Sequence, residues 1–151
     1  MKEPVSMILA RKGSEVLALP PQASVAAAVE MMNQRNVGAI VVLDEERVQG
    51  IFTERDALRR VIQRRLDVES TDLSEVMTRQ LAVIRPSTSI QEALAVVNAK
   101  GVRHLPVMEG ETLLGLLSVR DLVQYLVEDQ QHQIEELVDY IHGQYGPSIH
   151  G

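Results

Sequence analysis

The segment Gly50-Ile51-Phe52-Thr53-Glu54-Arg55-Asp56 returns 65 positions later as Gly115-Leu116-Leu117-Ser118-Val119-Arg120-Asp121. The same offset carries Pro21 onto Pro86, Ser24 onto Ser89, Ala28 onto Ala93, Asn33 onto Asn98, Val37 onto Val102 and Val42 onto Val107 without a gap. Such self-similarity means two copies of one supersecondary unit. The chain has 151 residues, 45% of them hydrophobic. Each copy is therefore near the size at which a lone core is marginal, and the two are expected to pack on one another.

Residues 5–11 read as a short helical lead-in stopped by Gly13. In the first copy a strand at 15–19 is halted by Pro20-Pro21, and Ser24 caps a helix over 25–35 with Val25, Ala28, Val29 and Met32 on one face. A buried strand at 37–43, a polar turn at 44–47 and a partner strand at 48–52 lead into a helix at 54–64. Residues 66–74 lack periodicity and read as a linker, with one helical turn at 72–77. The second copy repeats the order: strand 81–84, the Pro86 stop, a capping box from Ser89 to Glu92 opening a helix closed by Gly101, a hairpin over 104–108 and 112–117, and a helix over 119–127. Strand, helix, strand, strand, helix in each copy makes an α+β fold, a small mixed sheet covered on one face by helices. Past Glu128 the stretch Gln130 to Gln133 is polar, after which Ile134, Leu137, Val138 and Ile141 form a separate amphipathic helical stripe. The expected division is 5–65, linker 66–75, 76–128, a C-terminal helix at 129–145 and a tail at 146–151.

Each G-h-x-[ST]-x-x-D segment carries a strand into a helix. Thr53 or Ser118 at the N-cap can accept from a first-turn amide while Asp56 or Asp121 reaches back, which by itself is a capping box. The same turn can aim amides and the positive helix end at a phosphate, and a nearby carboxylate can accept from ribose hydroxyls. Both readings stand on the residues alone.

Composition narrows the rest. With 3% aromatics, no Trp and a net charge of −6, base stacking and backbone neutralisation of nucleic acid are disfavoured. The arginines at 55, 59, 60, 64 and 65 read as a solvated helix face. No cysteine is available for a disulfide or thiol chemistry, His132, His142 and His150 form no metal set, and no catalytic residue or catalytic cofactor is indicated. No apolar run suits a signal peptide or a membrane span, so a cytoplasmic protein is expected.

Two such motifs in register, with Gly101-Val102-Arg103-His104-Leu105-Pro106-Val107 and Asn36-Val37-Gly38-Ala39-Ile40-Val41-Val42 as supporting strands and Met77-Thr78 before the second copy, resemble a tandem CBS (cystathionine beta-synthase) domain pair, a stand-alone Bateman module. The resemblance implies a pseudo-twofold pair packed through its sheets, with two clefts of mixed parentage that bind adenosine-containing ligands: AMP, ADP, ATP, NADH or S-adenosylmethionine. Carried over by position, the first cleft combines Thr53, Arg55 and Asp56 with Thr78, Leu81, Ala82, Arg103, His104, Leu105 and Pro106. The second combines Ser118, Arg120 and Asp121 with Lys12, Val16, Leu17, Gly38, Ala39 and Ile40. Arg103 and His104 suit phosphate oxygens, so the first cleft is expected to hold a phosphorylated ligand more tightly. The family's pairing surface falls here on Ala57, Leu58, Val61, Ile62, Leu122, Val123, Leu126 and Val127, which implies a homodimer. The function implied is a regulatory sensor signalling to a protein partner that the chain does not name, with no membrane and no nucleic acid involved. The rival is a scaffold whose motifs are only helix caps.

Overall fold

The computed structural model describes residues 2–13 and 15–145, with side chains up to His142. The expected tail at 146–151, with His150, lies outside the described residues. Helix α1 (Ser6–Lys12) ends at Gly13, whose φ of 92° suits a residue without Cβ. Strand β1 (Ala18–Leu19) is followed by α2 (Val25–Arg35), then by the hairpin β2 (Ala39–Asp44) and β3 (Arg47–Thr53). A short turn α3 (Glu54–Asp56) continues as a π-helix over Ala57–Ile62, and α4 (Leu73–Val76) sits in the expected linker. Helix α5 (Ile90–Lys100), the hairpin β4 (His104–Glu109) and β5 (Thr112–Ser118), and α6 (Val119–Tyr145) complete the chain.

The duplication persists in three dimensions. β1 pairs parallel with β2 through Leu19 and Val42, and in the second copy Ile84 makes a parallel bridge to Val107. Both hairpins shift register at the same place, between Val42 and Leu43 and between Val107 and Met108. Asn36 and Gly101, the same position in each copy, both close their helices in the left-handed conformation. Ser24 and Ser89 both cap helices through their hydroxyls.

Several expectations are corrected. The second copy's first strand, expected at 81–84, is reduced to the single Ile84 bridge, leaving sheets of three strands and two. The strand expected at 15–19 contracts to two residues. The helix after the first motif is not α-helical beyond Asp56: its amides reach back five residues, as Gln63 to Leu58 does at 3.1 Å. The final helix of the second copy and the C-terminal stripe are one uninterrupted helix of 27 residues, because Gln130 to Gln133 are adequate helix formers and nothing there breaks the backbone pattern.

The lead-in segments cross over. Val5 and Ile8 of the N-terminal lead-in lie in the core of the second copy with Ile90, Leu105, Leu117 and Leu122. Leu73 and Val76 of the linker complete the core of the first copy with Val25, Ile40, Phe52 and Val61. Backbone bonds repeat the exchange: Val5 donates to Thr88 and Ile90 to Glu3, while Leu73 donates to Ala23 and Val25 to Thr71. Phe52, fully buried, contributes about 2–3 kcal/mol through its apolar surface. Neither core is complete without the exchanged segment.

Candidate functional site

Between the copies, Ile51 and Thr78 exchange backbone hydrogen bonds of 3.0 and 2.8 Å. The approach is so close that a Cβ on Gly50 would lie 2.6 Å from the Thr78 carbonyl. The motif's glycine is therefore required by contact and not by a positive φ. Its counterpart Gly115 is packed the same way, under the Leu9 side chain.

This contact brings the first motif against the second copy and closes a hollow of about 180 Å³. Thr53, Arg55, Asp56, Thr78, Leu81, Ala82, Arg103 and His104 line it, all expected in the first cleft, together with Glu54, Gln80, Val102 and Gly38. Leu105 and Pro106 are instead buried, Leu105 in the core of the second copy. Glu54 and Gln80 carried no signal in the sequence because neither repeats at the 65-residue offset, where Val119 and Glu15 stand instead.

The Asp56 carboxylate is buried and well supplied with donors. It accepts from the Thr53 amide at 3.1 Å, from the Thr53 hydroxyl at 3.2 Å and from the Thr78 hydroxyl at 2.8 Å, and Arg60 lies 3.5 Å away. The Asp56 amide donates to Thr53 Oγ1, closing the capping box. The Glu54 amide donates to Gly38. The amides of Thr53, Glu54 and Asp56 are thus committed within the protein. Arg55 spans that rim, donating to the Gly101 carbonyl at 3.3 Å, and Arg103 is exposed beside it.

The second set is arranged differently. Ser118 and Asp121 exchange the same capping bonds, but Lys12 of α1 also donates to Asp121 at 2.7 Å and to the Leu116 carbonyl at 2.7 Å. Burial pushes the Asp121 carboxyl upward, and the Lys12 bond and charge with the Ser118 amide outweigh it, holding the group below its ordinary value. A hollow of about 330 Å³ adjoins Lys12 and Asp121 but opens between α1 and α6, among Arg11, Gln124, Tyr125 and Glu128. There Arg11 stacks over Tyr125 and pairs with Glu128 at 3.4 Å. Of the other residues expected in the second cleft, Ala39 and Ile40 are buried, Val16 and Leu17 are half-buried with Leu17 against the first core, and Arg120 is exposed. Gly38 borders the first hollow, where a Cβ would lie 3.1 Å from the Glu54 carboxylate.

His104 lies between the two motifs. Burial lowers its pKa, Lys12 lowers it further, and Asp121 and Glu54 oppose both. At neutral pH it is an uncharged imidazole, so the fixed cation near the first hollow is arginine.

A family model described as CBS domain matches residues 9–63 and 73–128, most of the chain. The chain belongs to the CBS domain family. Among relatives of this CBS pair, the mitochondrial CBS domain-containing protein CBSX3 of Arabidopsis thaliana is 33% identical over 78% of this chain, which spans 60% of that protein. CBS domain-containing protein YhcV of Bacillus subtilis is 30% identical over 72% of this chain and 77% of its own length. Arabinose 5-phosphate isomerase KdsD of Escherichia coli is 32% identical, but the match takes in only 34% of that enzyme. A solved CBS domain structure superposes with a TM-score of 0.80 at 36% identity, covering 83% of this chain and 98% of that one. A CBS-domain containing protein of Agrobacterium tumefaciens gives 0.76 at 29%, covering 81% and 98%. Among the described residues no helix is long and apolar enough to cross a membrane.

Proposed function

We propose that this CBS pair is a regulatory module that binds an adenosine-containing ligand in the first hollow and passes the event to a partner through the packing of its helices. The observation that carries the reading is the composite lining: Thr53 and Asp56 from one copy face Thr78, Leu81, Ala82 and Arg103 from the other. A ligand there contacts both copies at once, and can bias their packing only by binding two arrangements with different affinity.

The lining decides how the ligand lies. Leu81, Ala82 and Asp56 suit the base and ribose, and the phosphates are left at the rim beside Arg55 and Arg103. A ribose hydroxyl reaches Asp56 by displacing the Thr78 hydroxyl. The second cleft is held by the chain's own Lys12, so one ligand per chain is expected. Two chains pair through exposed Leu58, Ile62, Val123 and Val127, while Val61 and Leu122 of the same expected surface are buried in their own cores. A hexameric CBS-CP12 neighbour at 23% identity shares the fold.

Calorimetric titration with AMP, ADP, ATP, NADH and S-adenosylmethionine tests the reading. Saturable binding that is lost in Asp56→Ala and kept in Asp121→Ala supports it; equal losses contradict the assignment to the first hollow. A second reading, a duplicated scaffold, is favoured by the saturated hydrogen bonding of Asp56. It is upheld if no compound in the panel binds or raises the melting temperature.

A further inference from the structure

Helix α6 continues without a break beyond residue 128, where the matched family segment ends, and carries an exposed apolar stripe that among the described residues starts at Val123. Val123, Val127, Ile134, Leu137 and Ile141 are each between 42% and 61% exposed. With Gln130 they fall at alternating steps of four and three residues, the 3.5-residue repeat of a coiled-coil seam, broadened over its last turns by the exposed Val138 and Tyr140. The side of the helix that does pack, through Leu122 and Tyr125, is a different one, so the seam is not the helix's own core face.

Charge placement identifies the occupant. Over 123–141 the acidic residues Glu128, Asp129, Glu135, Glu136 and Asp139 all fall on outer positions of the heptad, whereas the positions flanking the seam hold Gln124, Leu126, Gln131, Gln133, Val138 and Tyr140. A strongly acidic helix would repel a copy of itself if its charges bordered the contact. Here they point away, and His132 pairs with Glu136 on the outer side at 3.0 Å. A basic or charged partner would find no complementary charge beside the seam, and a membrane surface would find an acidic polar face. The stripe fits a helix of the same sequence.

We propose that residues 123–141 form a parallel two-stranded coiled coil with a second copy of this chain, in register through Gln130. Val127, Ile134 and Ile141 occupy one core position and Val123, Gln130 and Leu137 the other; β-branched residues at the first with Leu137 at the second favour two parallel strands, and the polar Gln130 penalises shifted registers. The seam begins at Val123 and Val127, so it rests on the pairing of two chains proposed above and extends it. It makes the last helix a clamp along which a change of packing in the hollow reaches the far end of the dimer.

The chain contains no cysteine, so single thiols report the geometry directly. Leu137→Cys in the full-length chain is expected to form a disulfide-linked dimer under mild oxidation, and Glu136→Cys on the outer face is not. Sedimentation of Ile134→Glu/Leu137→Glu is expected to show dimerisation weakened ~100-fold or more, against little change for Glu136→Lys. The proposal is overturned if the unaltered chain stays monomeric at tens of micromolar, if Glu136→Cys links as readily as Leu137→Cys, or if the double variant dimerises normally. Leu58→Glu separates this from the broader pairing: if it abolishes a dimer that Ile134→Glu/Leu137→Glu leaves intact, two chains pair but not through this seam.

Discussion

Gly50→Ala is expected to damage this protein more than Gly115→Ala, although the two glycines hold the same place in the two copies. A Cβ at residue 50 would sit 2.6 Å from the Thr78 carbonyl oxygen, and the gap must open to at least 3.0 Å. That oxygen accepts the Ile51 amide at 3.0 Å, and the Thr78 amide donates back at 2.8 Å, so the backbone cannot withdraw without stretching both bonds. Overpacking costs about 1–3 kcal/mol and each weakened hydrogen bond up to about 1 kcal/mol, so a total of roughly 2–4 kcal/mol is expected. For a chain of this size that lowers the melting temperature by roughly 4–16 °C. At residue 115 the obstacle is the Cδ2 methyl of Leu9 at 2.5 Å, the far end of a side chain that can rotate, and a strained rotamer costs only about 1 kcal/mol. Urea unfolding of both variants measures the difference. The withdrawal also parts the two walls of the composite hollow, Thr53 and Asp56 from Leu81 and Ala82, so Gly50→Ala is expected to weaken ligand binding while Gly115→Ala preserves it. Equal destabilisation, or a reversed order, would refute the view that the first glycine is fixed by backbone contact between the copies.

Other consequences follow from particular groups. The lowered pKa of His104 means the unfolded chain binds its proton first as pH falls, so stability present above about pH 6.5 declines below it; His104→Gln flattens that decline, read as melting temperature from pH 7.5 to 5. Lys12→Met releases Asp121, raising its carboxyl pKa towards the carboxylate range and shifting acid unfolding to higher pH; a second ligand equivalent per chain in calorimetry would accompany it if Lys12 is what holds that cleft. Glu45 and Glu46 occupy the first hairpin turn at φ of 49° and 67°, where Asn-Gly is the relaxed pair. Glu45→Asn/Glu46→Gly is expected to stabilise the chain by about 1 kcal/mol in urea unfolding, and no gain would show the turn to be unstrained.

Much of the fold was legible because its signals are local. Ser24, Ser89 and Gly101 terminate helices through their own side chain or backbone, and β2 to β5 show as apolar runs around polar turns. The widening of the helix after Asp56 was not legible; Arg60 on it reaches the Met77 carbonyl, 17 residues on, a contact that no local spacing records. The family resemblance put Lys12 and Asp121 in one cleft, but their direct bond across 109 residues was not legible, since it depends on the crossing of α1. Of the first cleft's expected residues, those in the motif and beside Thr78 share one hollow, while Leu105 went to the core because alternate residues of a strand face opposite sides.

The sequence alone determined that there are two copies of one unit, where the first helix of each copy begins and ends, and that the motifs pair a hydroxyl with a carboxylate. Those properties rest on spacing within a few residues or on comparison of one half with the other. Tertiary structure decided which lead-in completes which core, which aspartate faces a hollow and which is tied to a lysine, and that the last helix runs on uncovered. Each of these depends on groups far apart in the chain meeting in space, where burial and charge set the outcome and periodicity carries no record of it.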